Sequence, residues 1–266
     1  RGGQTSIHTL VIDTSYGSTV GVVGHEPIVE TDSRTHVERL QANISRACVE
    51  AGLKPEDLDR IVVGIGPAPF TGLRAGVVAA KALAFATGAE LIGQNILEPQ
   101  ALWNVVRCES ADSQSKNEIP HVLTLAVNDA RRKQLYFALF DMSAYCDGGE
   151  PNREHLPLIA MDIDYPEHIV ERVNAANIQG LTVDVIGHGA GKYESVLRNI
   201  AHVGDILDDS VLDQGSSGLH TFVAEAEFHH HHNTDRPVEP LYLRRPDAEV
   251  PKPLKHVLGH AGVNKS

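Results

Sequence analysis

Two short apolar runs near the start of the chain, residues 9–12 (TLVI) and 18–23 (STVGVV), flank the polar turn Asp13, Thr14, Ser15, Tyr16 and Gly17, a pattern that predicts a β-hairpin. Residues 27–31 add a third strand. Val37, Leu40, Ile44, Ala47, Cys48 and Ala51 then recur at helical spacing, with Glu38, Arg39, Arg46 and Glu50 turned away and Gly52 placed to stop the helix. The spacing predicts an amphipathic helix over 37–51. The β-branched run 61–65 (IVVGI) predicts a central strand covered on both faces, and the loop GPAPFTG follows it directly. Residues 72–87 predict a helix of another kind: Arg74 and Lys81 are its only charges, so it needs cover on more than one side.

The pattern then restarts. Residues 108–120 (CESADSQSKNEIP) are polar and aperiodic and end in proline, which predicts a linker between a first domain, 1–107, and a second, 121–266. Beyond it, an apolar strand over 121–127 reaches Asp129 and a second strand covers 135–140, copying the earlier order of strand, Asp, turn, strand. The two copies share negligible sequence identity, so the repeat is one of topology. Residues 166–176 read as a helix, 182–187 as a strand and 193–200 as a helix. The proline- and glycine-rich tail from 237 is expected to lie extended over the surface.

Composition narrows the class. With 266 residues, 42% hydrophobic and 22% charged, the chain builds globular cores and is neither disordered nor a small disulfide scaffold. Its 23 basic and 35 acidic residues make it a poor stand-alone nucleic-acid binder, at a formal net charge of -12. The acidity is concentrated in the second half: residues 1–107 are close to neutral, with 9 basic and 11 acidic side chains. Cys48, Cys108 and Cys146 are odd in number and scattered, without a CxxC pair, which fits a reducing compartment. The most apolar stretch, 75–86, is 12 residues long and contains Lys81, so no membrane anchor is expected.

Several stretches carry candidate chemistry. The turn at Asp13, Thr14 and Ser15 either cradles a phosphate with hydroxyls and backbone N–H groups, Asp13 holding a hydrated cation, or is simply capped by Asp13. GPAPFTGLRAG lies between a strand and a helix N-terminus, as phosphate loops do. It lacks both the GKS or GKT ending and the GxGxxG spacing, and its prolines remove amide donors, so close packing of loop on helix accounts better for its glycines. QGSSG at 214–218 is not a nucleophile elbow. The run His229 to His232 either binds a transition metal opportunistically or forms a solvated loop, and the loop is favoured because four adjacent histidines seldom converge on one ion. Asp129, Arg131, Arg132 and Lys133 either bind a phosphate or form a solvated turn with one ion pair.

LVIDTS, VVGIGPAPFTGLRAGVVAAKALA and NDARRKQLYFALFD, followed by GHGAGKY at 187–193 and PLYLRRPD at 240–247, together resemble the TsaB family, also called YeaZ. That family carries GPGSFTGLRIG and DARRGEVY at the second and third of these blocks. The resemblance implies an α/β, actin-like (ASKHA) fold of two ribonuclease-H-like subdomains with mixed sheets flanked by helices. It also implies a cytoplasmic role in forming threonylcarbamoyladenosine in tRNA next to the anticodon. In that system TsaD transfers the threonylcarbamoyl group, TsaE is an ATPase partner, and TsaB is an inactive paralogue that forms a heterodimer with TsaD. TsaD-like proteins carry a HMEGH-type metal motif, whose counterpart here is Ile96, Leu97, Glu98, Pro99 and Gln100. Isoleucine cannot coordinate a metal, so no catalytic residue, cofactor or metal is expected, and Asp13, Thr14 and Ser15 are vestigial phosphate-loop positions.

A partner surface is expected on the two helices of the first half. Ala75, Ala79, Ala82 and Ala86 fall on one helical face that another helix can approach closely, and with Val37, Leu40, Ile44 and Arg74 they are the candidate contacts to TsaD, or to a second copy in a homodimer. Arg131 and Arg132 are candidate phosphate contacts in the complex, with tRNA met indirectly through the partner. The competing expectations are an ATP-dependent phosphotransferase of the same fold and a peptidase.

Overall fold

The computed structural model describes residues 6–32, 34–111, 122–142, 157–232 and 237–243. The first half forms β1 (Thr9–Asp13), β2 (Ser18–Val22), β3 (Ile28–Glu30), α1 (His36–Glu50), β4 (Arg60–Gly64), α2 (Phe70–Thr87), β5 (Glu90–Gln94) and α3 (Leu97–Ala111). The second half forms β6 (Val122–Asp129), β7 (Leu135–Asp141), β8 (Pro157–Asp164), α4 (Pro166–Ala176), β9 (Thr182–Ile186), α5 (Glu194–Leu197), β10 (Val203–Leu207) and α6 (Gly215–His232). The two five-stranded sheets run β3-β2-β1-β4-β5 and β8-β7-β6-β9-β10, so each strand of the second occupies the place of its counterpart in the first. In both, the first three strands form an antiparallel meander and the last two add in parallel. The duplicated order of strand, Asp, turn, strand is therefore the start of two equivalent mixed sheets, as an actin-like fold requires.

The central strands are apolar on both faces because both faces are covered. Leu10, Ile12, Ile61 and Val63 pack under α1 and α2, whereas the alternating Val11 and Val62 face a middle layer made by α3 and α6. Ala126, Ala138 and Phe140 of the second sheet close that layer from the other side. Leu123, Leu125 and Val127 point outward to α4 and α5 through Ile169, Val173 and Leu197. By length and composition α2 is long and apolar enough to cross a membrane, but it joins the neighbouring parallel strands β4 and β5 and packs along them.

The expected elements recur with shifts that have physical causes. Helix α2 begins at Phe70, two residues early, with Pro69 as its N-cap, and ends where Gly88 takes a left-handed φ of 76°. Residues 108–111, expected in the linker, are the last turn of α3; the rest of that stretch, 112–120, lies outside the described residues, as does Cys146. Helix α3 escapes a reading of apolar periodicity because polar residues occupy its buried side. Asn104 donates to Thr124 Oγ1 (2.9 Å) and Asp184 Oδ2 (3.1 Å), and Arg107 binds Asp205 Oδ2 at 2.9 Å. These bonds seat α3 on the second sheet although the sequence places it in the first half. Strands β8 and β10, at the sheet edges, are only half-buried and carry little pattern. Helix α5 is shorter than the expected 193–200. In the tail, 237–243 is extended as expected: Leu241 N–H donates to Ile65 O (2.8 Å) and Tyr242 stacks on Phe70, with centroids 4.8 Å apart. The tail from 244 on, with the end of PLYLRRPD, lies outside the described residues.

Candidate functional site

Asp13 ends β1 and is fully buried. Its Oδ1 accepts from the Ser15 N–H (3.0 Å) and the Ser15 hydroxyl (2.5 Å). Burial pushes the carboxyl above the usual aspartate range, and the two Ser15 bonds only partly offset it. Asp13 Oδ2 and Thr14 Oγ1 are buried without a hydrogen-bond partner among the described residues. The turn lies so close to β4 and α2 that a Cβ at Gly64 would strike Asp13 Oδ2 and one at Gly76 would strike Thr14 Oγ1. Close packing thus accounts for Gly76, within GPAPFTGLRAG, as the sequence indicates. Asp13 serves as the cap of its turn, while Thr14, Ser15, Tyr16 and Gly17 face a cleft.

That cleft has a volume of about 320 Å³ and opens between the two halves. Thr31, His36, Pro69 and Gly72 complete its first wall, and Asp129 and Arg131, from the β6–β7 turn, supply the second. Buried Asn128 ties the walls together, its Nδ2 donating to Ser15 O (3.0 Å) and Pro67 O (3.1 Å). Arg131, Arg132 and Lys133 are exposed and all adopt left-handed φ, at 59°, 48° and 61°. Asp129 accepts the Arg131 N–H (2.9 Å), and its charge partner is Lys192, at 3.7 Å. The structure therefore brings Thr14, Ser15 and Arg131 to one cavity, whereas Arg132 is not among the residues lining it.

His188, which the sequence reading did not single out, stacks on Tyr16 (3.9 Å between centroids, 9° between planes) and meets Asp213 Oδ2 at 2.7 Å. Burial raises the Asp213 carboxyl, but the His188 bond, the Ser210 N–H and the imidazole charge outweigh it and hold the group low. The only sequence signal for this pair is the histidine inside GHGAG. The Gly189 and Gly191 N–H groups of that loop both donate to Asp208 Oδ1, at 2.9 and 3.0 Å.

At the counterpart of the HMEGH motif, Ile96 is buried in the middle layer. Gln100 is equally buried: its Nε2 donates to Ser210 Oγ (3.0 Å) and its Oε1 accepts the Val211 N–H (2.8 Å). A different group gathers nearby. Glu98, Glu225 and His229 each offer one donor atom, all within 4.8 Å of one another. His229 to His232 form the last turn of α6, not a solvated loop, and His229 is turned inward.

The expected partner surface is corrected in part. Leu40, Ile44 and Ala79 belong to the core of their own half and Ala75 is half-buried, whereas Val37, Arg74, Ala82 and Ala86 are exposed. Gly76, Ala79 and Ala80 lie on the face packed within their own half, where a short side chain lets helix and strand approach. The free face lies about one residue round the helix: Arg74, Val78, Lys81, Ala82, Phe85 and Ala86. Phe85 is 94% exposed, Val78 57% and, on α1, Val49 70%. These three apolar residues were missed; a phenylalanine seven residues after Val78 in an alanine-rich helix was the available signal.

Residues 21–191 match the family model described as TsaD: tRNA N6-adenosine threonylcarbamoyltransferase. An uncharacterized protein of Mycobacterium tuberculosis is 37% identical over 146 residues, 52% of this chain and 59% of that protein, so the chain spans about three fifths of the length of such curated relatives. A tRNA N6-adenosine threonylcarbamoyltransferase of Cereibacter sphaeroides is 42% identical over 100 residues, 38% of this chain and 24% of the enzyme. YeaZ from Pseudomonas aeruginosa superposes with a TM-score of 0.63 at 19% identity, covering 90% of this chain and 100% of that one, which shows the shared fold. The chain belongs to the TsaD family and has the two-sheet architecture of YeaZ, in line with the resemblance carried by its motifs.

Proposed function

We propose that this chain is a non-catalytic subunit that docks through α1 and α2 onto a TsaD-type protein and supports formation of threonylcarbamoyladenosine in tRNA, in the cytoplasm and alongside a TsaE-type ATPase. The observation that carries the reading is the exposure of apolar side chains on both helices, Val78 and Phe85 on α2 and Val49 on α1, in the half of the chain that is close to neutral. Covering each of these side chains stabilises a complex by about 1.5–3 kcal/mol before the costs of association. The non-catalytic assignment is supported at Ile96, an alkyl group without a lone pair, and at Gln100, whose amide is spent on Ser210 and Val211.

The test is co-elution with a TsaD protein from the same source. Phe85→Glu and Ala82→Glu should each abolish co-elution and leave the melting temperature unchanged, whereas Ala79→Glu, in the core, should lose both. Co-elution that survives Phe85→Glu and Ala82→Glu refutes this docking face; a second copy occupying it in place of TsaD would appear as a homodimer sensitive to the same two substitutions.

One feature favours a second reading. Thr14 and Ser15 line the cleft opposite Arg131, a suitable lining for a phosphate-bearing ligand and hence for the phosphotransferase alternative. Calorimetry with ATP separates the two: micromolar affinity abolished by Asp13→Ala would favour the enzyme.

A further inference from the structure

Three side chains from two helices bring two oxygens and one nitrogen to a single point in the middle layer. Glu98 lies in the first turn of α3; Glu225 and His229 are four residues apart on α6 and so project from the same face. His229 Nε2 is 2.7 Å from Glu98 Oε2 and 3.0 Å from Glu225 Oε1. The group is largely shielded from water, with side-chain exposures of 5% for Glu225, 13% for His229 and 22% for Glu98.

One imidazole nitrogen carries at most one proton, yet two carboxylates converge on it. A cation between two carboxylates held together in a shielded site relieves their mutual repulsion, and a divalent ion at the common point carries the charge of both. Metal–oxygen and metal–nitrogen bonds of about 2.0–2.2 Å place neighbouring donor atoms about 3–3.5 Å apart, so the His229–Glu98 and His229–Glu225 pairs, at 2.7 and 3.0 Å, need only open slightly to take an ion. One imidazole with two carboxylates suits borderline first-row ions such as zinc better than magnesium or calcium, which prefer all-oxygen shells.

We propose that Glu98 Oε2, Glu225 Oε1 and His229 Nε2 bind one first-row divalent cation, with zinc as the reference ion, and that this ion clamps α3 to α6. The site is separate from the TsaD-type metal positions, here Ile96 and Gln100, and it uses no residue of the cleft or of the α1–α2 face. The alternative occupant of the same geometry is a proton, giving an imidazolium held between two carboxylates.

The test uses the full chain without an affinity tag, freed of metal with a chelator and titrated calorimetrically with zinc chloride. The expected result is one equivalent of zinc per chain and a rise in melting temperature. His229→Ala and Glu225→Gln should each weaken binding at least about tenfold and remove that rise. Glu98→Gln, which keeps the shape of the side chain, should do the same. Cobalt(II) should give visible d–d absorption that His229→Ala abolishes. The neighbouring histidines are the control: His231 and His232 are exposed, and His230 pairs with Glu90 at 2.8 Å. Combined His231→Ala and His232→Ala should leave zinc affinity unchanged. Absence of stoichiometric binding, zinc affinity that survives His229→Ala, or affinity lost only in the His231 and His232 variant would overturn the proposal, the first leaving the imidazolium clamp and the other two an adventitious histidine run.

Discussion

Asn128 joins the two halves of the molecule beside the cleft, and its removal tests whether they form one cooperative unit. Its side-chain amide donates to Ser15 O at 3.0 Å and Pro67 O at 3.1 Å, both acceptors lying in loops of the first half. Asn128→Ala leaves two buried carbonyl groups without this donor, each at about 1–3 kcal/mol, so with partial relaxation the loss is about 2–4 kcal/mol. That corresponds to about 30- to 900-fold in the folded-to-unfolded ratio. Asn128→Asp keeps the shape but turns a carboxylate toward two carbonyl oxygens. It should cost more than Ala at neutral pH, and part of the loss should return as the acid is protonated. Urea denaturation measures the free energy, and amide hydrogen exchange shows where it is lost: protection should fall first in the Ser15 turn and at the start of α2. A change below about 0.5 kcal/mol, with unaltered exchange in those segments, would show that the Asn128 bonds do not couple the halves.

Asp13 tests burial against charge. Its folded pKa lies above the unfolded value, so its contribution to stability is present below the unfolded pKa and is lost as pH rises through the folded one. Asp13→Asn should therefore raise the melting temperature at pH 7 and flatten its change between pH 4 and 8; a destabilised variant at pH 7 would contradict this. In the network that seats α3, Asp184 accepts from Asn104, Arg107 and the Asp205 N–H. Asp184→Ala should cost about 2–4 kcal/mol by urea denaturation, the partly exposed Arg107 limiting the loss, and a neutral result would mean that apolar packing alone seats the helix. At Gly76, Ala improves helix propensity by about 1 kcal/mol but forces a Cβ into Thr14 at a cost of about 1–3 kcal/mol, so Gly76→Ala should lower the unfolding free energy by up to about 2 kcal/mol net; a stabilised variant would show that the turn can move away.

Local order was legible in the sequence wherever a segment's neighbours impose a simple period. β1, β4, β6 and β7 are covered on both faces or pair with a strand that is, so their apolar runs announce them, and α1 and α4 each turn one stripe inward. The duplicated strand, Asp, turn, strand order sufficed for two equivalent sheets, and the motifs around them for the family. Tertiary structure decided what depends on partners distant in the chain. Helix α3 is buried through Gln100, Asn104 and Arg107, whose hydrogen bonds reach Ser210, Asp184 and Asp205 about a hundred residues away, so its inward face reads as polar until those partners are known. The alanines of α2 are ambiguous for a related reason: small residues suit packing on a sheet and packing on a partner equally, and only the orientation of α2 on β4 and β5 separates buried Ala79 from exposed Ala82 and Phe85. His229 differs from the histidines beside it solely because α6 turns it toward Glu98, from a helix more than a hundred residues earlier. Periodicity records the average environment of a segment, whereas a site is made of single contacts between segments, and those exist only once the chain has folded.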